Sequence, residues 1–145
     1  MTHKRYHIAL LVVFIINLAG CFFELGQTVI LKPDEYRYVY EAKETVALRA
    51  IAGVIKEKNM GANVVIDYHN RHVDSDYVYS DLWRTKAQAR VKKLNWKECE
   101  VVLAVTTEKS NGIDWEMRRL LQKEQYNNLF DVIDLKIYEE MSKMN

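Results

Sequence analysis

The sequence predicts an α+β fold: a small, mostly antiparallel sheet with one packed helix at about residues 42–60 and two C-terminal helices. Three observations carry this expectation. Trp83, Thr85, Ala87, Ala89 and Val91 alternate without a fault with Arg84, Lys86, Gln88, Arg90 and Lys92. That two-residue period is a strand with one face buried and the other in water. Ala47, Leu48, Ile51, Val54 and Ile55 instead recur at helical spacing, with Glu44, Arg49, Lys56 and Glu57 on the remaining faces. Outside these two patterns, short apolar runs are bounded by turn residues, as in brief strands.

The elements follow in order. Thr28-Val29-Ile30-Leu31 reads as a short strand, Pro33-Asp34 as a turn. Tyr36, Tyr38 and Tyr40 alternate on one side of a second strand. The helix runs from Ala42 to Asn59, with Gly61 expected to stop it in a left-handed conformation. Ala62 to Tyr68 is a strand, and Asn63-Val64-Val65-Ile66 is too apolar for an exposed edge. Asn70 to Ser80 is polar and loop-like. After the alternating strand, Glu100 to Thr106 forms another, and Asn111-Gly112 turns the chain. Asp114 is placed to cap a helix with Trp115, Leu120 and Leu121 on its inner side. Tyr126-Asn127-Asn128 separates it from a last helix, Leu129 to Met141, striped by Ile133, Ile137 and Met141.

The first 21 residues follow a different logic. His3-Lys4-Arg5 is a short positive start, Ile8 to Ile16 is an unbroken apolar run, and Leu18-Ala19-Gly20-Cys21 closes it. A cationic start, an apolar stretch too short to span and a small-residue cleavage site are the parts of a secretory leader. With the cysteine added, the segment resembles the lipobox signal peptide of bacterial lipoproteins. The resemblance implies a signal peptide at residues 1–20, thioether lipidation at Cys21, a short lipidated tether at 21–27 and a single α+β domain at 28–145. Phe22 stands where inner-membrane retention in enteric bacteria would show Asp, so the family rule favours the outer membrane, facing the periplasm, where the organism has one. Two other readings stay open. The run from Ile8 to Phe23, interrupted by Asn17 and Gly20, is an uncleaved anchor or a buried helix of a soluble protein.

Composition bounds the rest. Roughly 125 residues remain without the leader, enough for one core and not two. The whole chain carries a formal net charge of +1, and removing Lys4 and Arg5 brings it close to neutral. Bulk nucleic-acid binding needs a strong positive excess and is not expected. With Cys21 lipidated, Cys99 is the remaining thiol and forms no intramolecular disulfide; Trp96 before it and Val101-Val102-Leu103 after it point to burial.

Three groups of residues are candidates for chemistry. Asp67, His69, His72 and Asp74, with Asp76 nearby, mix imidazole and carboxylate as zinc sites do. Asp67 and His69 would point the same way from a strand. The spacing matches no closed zinc motif, and polar loops gather such residues by chance. Arg84, Lys86, Arg90 and Lys92 form a basic face able to meet an anionic surface or an acidic partner; an ordinary solvated face paired with acids on neighbouring strands looks the same. Tyr36, Tyr38, Tyr40, Tyr77 and Tyr79 with Trp83 form either an aromatic binding surface or core with wet hydroxyls. No phosphate loop or nucleophile elbow occurs, and no Cys–His pair has a plausible context, since Cys99 is expected to be buried.

Ala50 and Ala52 in the helix, Gly61-Ala62-Asn63-Val64-Val65-Ile66, and Ala87 to Val91 resemble the corresponding stretch of small envelope proteins of the YbjQ and RcsF type. The resemblance supports the order helix, strand, loop, strand. RcsF-type sensors depend on several cysteines that this chain lacks, so their disulfide-framed mechanism does not transfer. The expectation is a non-enzymatic, cofactor-free, lipid-anchored envelope protein that binds or positions another envelope component. It would serve as a secretion or conjugation accessory, a sensor or an exclusion factor. The alternative is a metal-binding or metal-dependent lipoprotein using His69 and His72 with Asp67 and Asp74.

Overall fold

The computed structural model describes residues 35–118 and 121–144, together with the backbone of 29–32. The expected leader, Cys21 and the tether lie outside the described residues. Ten elements follow one another: β1 (Val29–Lys32), β2 (Glu35–Tyr40), α1 (Glu44–Glu57), β3 (Ala62–Asp67), β4 (His72–Asp76), β5 (Val78–Ser80), β6 (Trp83–Lys93), β7 (Cys99–Ser110), β8 (Trp115–Met117) and α2 (Lys123–Ser142). The strands make one sheet in the order β1-β2-β7-β6-β4-β3, with β5 added to β6 and β8 to β7. Every pairing is antiparallel. The class is α+β as the sequence predicts, but the sheet is larger than expected and the described residues form two helices.

The core lies between one face of the sheet and the two helices. Ala87, Ala89 and Val91 of β6 and Cys99, Val101 and Leu103 of β7 are buried there, which matches the period read from the sequence. Val46, Ala47, Leu48, Ala50, Ile51, Ala52, Val54 and Ile55 of α1 are all buried as well. A stripe that wide means the helix is covered on two sides, by the sheet and by α2. α2 lies over β2, where Tyr126 stacks on Tyr36 with ring centroids 4.0 Å apart. The Tyr40 hydroxyl donates to the Phe130 carbonyl at 2.8 Å, so this tyrosine is core and its hydroxyl is not wet.

Several expectations are corrected. The stretch from Asn70 to Ser80 is not a loop: it carries β4 and β5. Val73 and Ser75 point inward between exposed Asp74 and Asp76; a buried serine hid the alternation. The reason lies in Ser75 itself. β4 and β6 pair only at His72–Arg90 and Val73–Ala89. Beyond that, the Ser75 hydroxyl donates to the Ala87 carbonyl at 2.8 Å and accepts its N–H at 3.0 Å, doing with one side chain what the ladder no longer does.

Gly61 is needed for the same contact, since a Cβ there would fall 2.0 Å from Ser75 Oγ. It is not the left-handed stop; Asn59 takes that role with φ 52°, as Asn does when no glycine is available. β3 is the edge of the described sheet, not an interior strand. Val65 is 61% exposed on its outer side, and the strand is irregular between Ala62 and Val65, where Asn63 has φ 47°. A bulge of this kind discourages pairing with another chain.

The first of the two expected C-terminal helices is not formed among the described residues. After the turn at Asn111-Gly112, where Gly112 has φ 90°, Trp115–Met117 pairs back on β7 as β8. Arg118 N–H then donates to the Thr107 carbonyl at 2.8 Å, so the amides a helix would use are already committed. Residues 119–120 lie outside the described residues. α2 is a single helix that starts earlier than expected, because Gln122 and Gln125 cap each other's backbone N–H groups. Tyr126, expected in a break, is thereby inside the helix and buried with Phe130, Ile133 and Ile137. Its hydroxyl accepts the Val105 N–H at 2.9 Å, one residue past Ala104, where the β2–β7 ladder ends.

Ser75→Ala should lower stability by roughly 1–3 kcal/mol in urea unfolding, because it leaves two buried main-chain groups of Ala87 without a partner. Burial, and next the nearby charge of Glu44, pushes the Cys99 thiol up from 9.0 to about 12. Below pH 9 the thiol is neutral in folded and unfolded chains alike. Between pH 9 and 12 only the unfolded chain ionises, so stability should fall as pH rises through that window. Unfolding curves at stepped pH should show a shallower decline for Cys99→Ala than for the natural chain.

Candidate functional site

The second face of the sheet is the candidate site, because among the described residues no element packs on it. β6 contributes Arg84, Lys86, Gln88, Arg90 and Lys92, whose strand neighbours point into the core. β7 adds Glu100, Val102, Ala104, Thr106 and Glu108 from the same alternation. β2 adds Glu35 and Arg37, and β4 adds His72 and Asp74. Acids from β2, β4 and β7 are thus brought to both sides of the basic strand.

The four cations singled out by sequence share one face, and Arg84, Lys86 and Arg90 each have a partner there. The Arg84 guanidinium pairs with Glu108. It also lies 4.3 Å from the centre of the Tyr77 ring and 4.5 Å from that of Trp115. Tyr77 donates to the same Glu108 carboxylate at 3.1 Å; burial first, and then this bond, raise its hydroxyl above the usual phenol value. Lys86 stands 4.9 Å over the other part of this cluster, the Tyr77 ring. Arg90 donates to Glu35 at 3.1 Å, and Lys92 lies directly across from Glu100, which also accepts Arg37 at 3.4 Å. The result is a mosaic of opposite charges in place of a positive field. Glu35, Glu108, Tyr77 and Trp115 are the partners that the sequence did not disclose, since cross-strand register decides who meets whom.

In the middle of this face Glu35, His72, Gln88, Arg90, Val102 and Ala104 border a shallow depression of about 150 Å³. Gln88 donates to Asp74 at 2.8 Å, and His72 Nε2 lies 3.2 Å from the same oxygen. The floor is apolar and the rim is charged in both signs. Such a surface suits a polar partner that can replace these internal pairs with its own.

The Asp/His group is only partly assembled. Asp67 and His72 are cross-strand partners, and Asp74 follows on the same face. His69 does not join them: β3 ends at Asp67, and residues 68–71 form the turn into β4. Asp67 holds that turn, accepting the Asn70 backbone N–H at 2.9 Å and its side-chain amide at 2.7 Å. Those two bonds, the backbone one first, keep its carboxyl below the usual value. Among the described residues, no group of three or more His, Cys, Asp or Glu is arranged to hold a metal ion.

The tyrosines divide by face. Tyr36 and Tyr40 are core, and Tyr38 packs on Phe130 at 5.4 Å, whereas Tyr77 and Tyr79 serve the Arg84 cluster, Tyr79 meeting Trp115 edge-on at 5.8 Å. Trp83 lies on the helix side, bordering a cleft of about 440 Å³ with Met60, Val78 and Leu121. On its wall the Thr85 and Thr107 hydroxyls satisfy each other at 3.2 Å.

Arg84→Lys should lower the thermal midpoint although the charge is kept, because an ammonium cannot lie flat between two rings while reaching Glu108. Arg90→Lys, at an exposed pair, should leave it nearly unchanged. Equal midpoints in a melting experiment would show that the sandwich around Arg84 contributes nothing.

No protein-family model and no curated protein matches this chain. Solved structures do match, among them a TBP-like protein from Parabacteroides distasonis, at 11% identity and a TM-score of 0.38, over 72% of this chain and 96% of that one.

Proposed function

We propose that this protein is a lipid-anchored, non-enzymatic component of the cell envelope whose domain binds or positions another envelope protein. The observation that carries the reading is the order of residues 3 to 21: cations, an unbroken apolar run, then Leu18-Ala19-Gly20-Cys21. Acylation of Cys21 would fix the chain to a bilayer, and more than one acyl chain makes such attachment stable. β1 begins at Val29, so even a fully extended tether from Cys21 reaches only about 28 Å. The domain would work beside the membrane, facing the periplasm from the outer membrane where the organism has one. Its mixed-charge sheet face is the surface offered to the partner. Secretion or conjugation accessory, sensor and exclusion factor are the roles that fit such an arrangement.

Intact mass of protein taken from cells tests the anchor directly. Loss of the first 20 residues together with the mass of a lipidated cysteine is expected, and Cys21→Ser should leave a chain that is neither acylated nor processed. A bare thiol on a full-length chain would end the proposal.

A further inference from the structure

We infer that the β6–β7 turn is a second membrane contact: Leu94, Trp96, Lys93 and Lys97 rest on an anionic phospholipid surface. The segment reads Lys92-Lys93-Leu94-Asn95-Trp96-Lys97. Trp96 is 74% exposed and Leu94 43%. Single exposed apolar residues are ordinary on a protein surface, so exposure alone decides nothing. Three further observations separate this turn from that background.

First, the turn is closed by its own hydrogen bonds. Asn95 Oδ1 accepts the backbone N–H groups of Lys97 and Glu98 at 2.8 and 2.9 Å, and its amide donates to the Glu98 carboxylate at 2.6 Å. Leu94 N–H closes the loop on the Glu98 carbonyl at 3.0 Å. Trp96 is therefore held out in solvent by a preorganised backbone and does not depend on ordering at the moment of contact.

Second, the chemistry is that of a membrane interface. An indole prefers the headgroup level, where its ring is in an apolar layer and its N–H remains wet. Lysines beside it supply attraction to anionic headgroups. Lys97 Nζ sits 4.5 Å over the Trp96 ring, and Lys93 is exposed on the strand end. Lys92 shares the neighbourhood of Glu100, which leaves Lys93 and Lys97 as the principal charges. Glu98, the acid within the turn, is half-buried and engaged by Asn95.

Third, the N-terminal end of β1 points toward this same end of the sheet. Val29 pairs with Arg37 and Lys32 with Glu35, while Arg37 is level with Val102 and Tyr40 with Cys99. Going back from Val29 along β1 therefore leads toward Cys99, the residue on which β7 emerges from the turn. This step rests on the lipid anchor proposed above: an acylated Cys21 and the turn would touch one bilayer at one end of the sheet. The sheet would stand upright, with Leu82 and Ile113 on the opposite turns directed away from the lipid.

The test uses the full chain isolated from cells and reconstituted in vesicles of phosphatidylethanolamine and phosphatidylglycerol with brominated acyl chains. The chain has three tryptophans, at positions 83, 96 and 115, and the other two belong to the far end of the sheet. Bromine quenching of tryptophan emission should persist in the Trp83→Phe/Trp115→Phe variant and be lost in Trp96→Phe. It should also be lost in vesicles of phosphatidylcholine alone and in Lys93→Glu/Lys97→Glu. Quenching that ignores Trp96→Phe, or that is equal in neutral vesicles, overturns the inference. So does protection of Trp96 from acrylamide in native membranes that disappears in pure lipid, which would assign the turn to a protein partner. Intact mass of each sample keeps the two claims apart. An acylated chain with unquenched Trp96 sinks the turn contact alone; quenched Trp96 in an unacylated chain sinks the anchor alone.

Discussion

Burial of α1 on two sides is the constraint from which the remaining architecture follows. Leu48, Ile51 and Ile55 are buried in the core together with the small alanines at 47, 50 and 52. Gly53 sits where a Cβ would lie 3.2 Å from the stem of Lys136, so α2 comes near enough to cover the second side. A helix clothed in this way cannot turn about its axis without exposing apolar surface. It therefore fixes which face of every strand is inward, because a one-residue slip would send each side chain to the wrong side.

The consequence for function is a sheet with one committed face. The outer side has no helix among the described residues, and its charges are neutralised within the sheet: Arg84 by Glu108, Arg90 by Glu35, Arg37 by Glu100. Of these, the Arg90–Glu35 pair is the exposed one, and such a pair contributes little to stability. Together these pairs define a surface with alternating sign, which favours recognition by register over attraction at long range. Arg84 differs from the others, being enclosed by Tyr77 and Trp115 on a carboxylate shared with Tyr77. It acts as a joint between β5, β6, β7 and β8.

The two ends of the sheet are unlike one another. At one, Asn95 shapes a short turn rich in lysine around an exposed indole. At the other, the turns after β5 and β7 are stitched together by Ser110 N–H donating to the Leu82 carbonyl at 2.8 Å. Under the proposed anchor, a domain held at one end would present its open face at one angle to the membrane. Orientation of this kind follows from strand direction and not from any single contact.

The sequence by itself determined the strands and helices whose burial repeats with a simple period. Ala87, Ala89 and Val91, the tyrosines of β2 and the stripe of α1 were legible because one face was apolar and the other was not. Burial of Cys99 was legible for the same reason. What only the tertiary structure decided lay wherever a polar residue was turned inward or a short segment depended on a distant partner. Ser75 looked like loop because its hydroxyl meets Ala87 across the sheet. Trp115 looked like helix because nothing local says that its amides go to β7. The candidate face was half legible: periodicity placed Arg84, Lys86, Arg90 and Lys92 on one side. Their partners Glu108, Glu35 and Glu100 come from other strands, and register between strands is a property of the folded sheet, set by core packing and turn length, that no single stretch of chain contains.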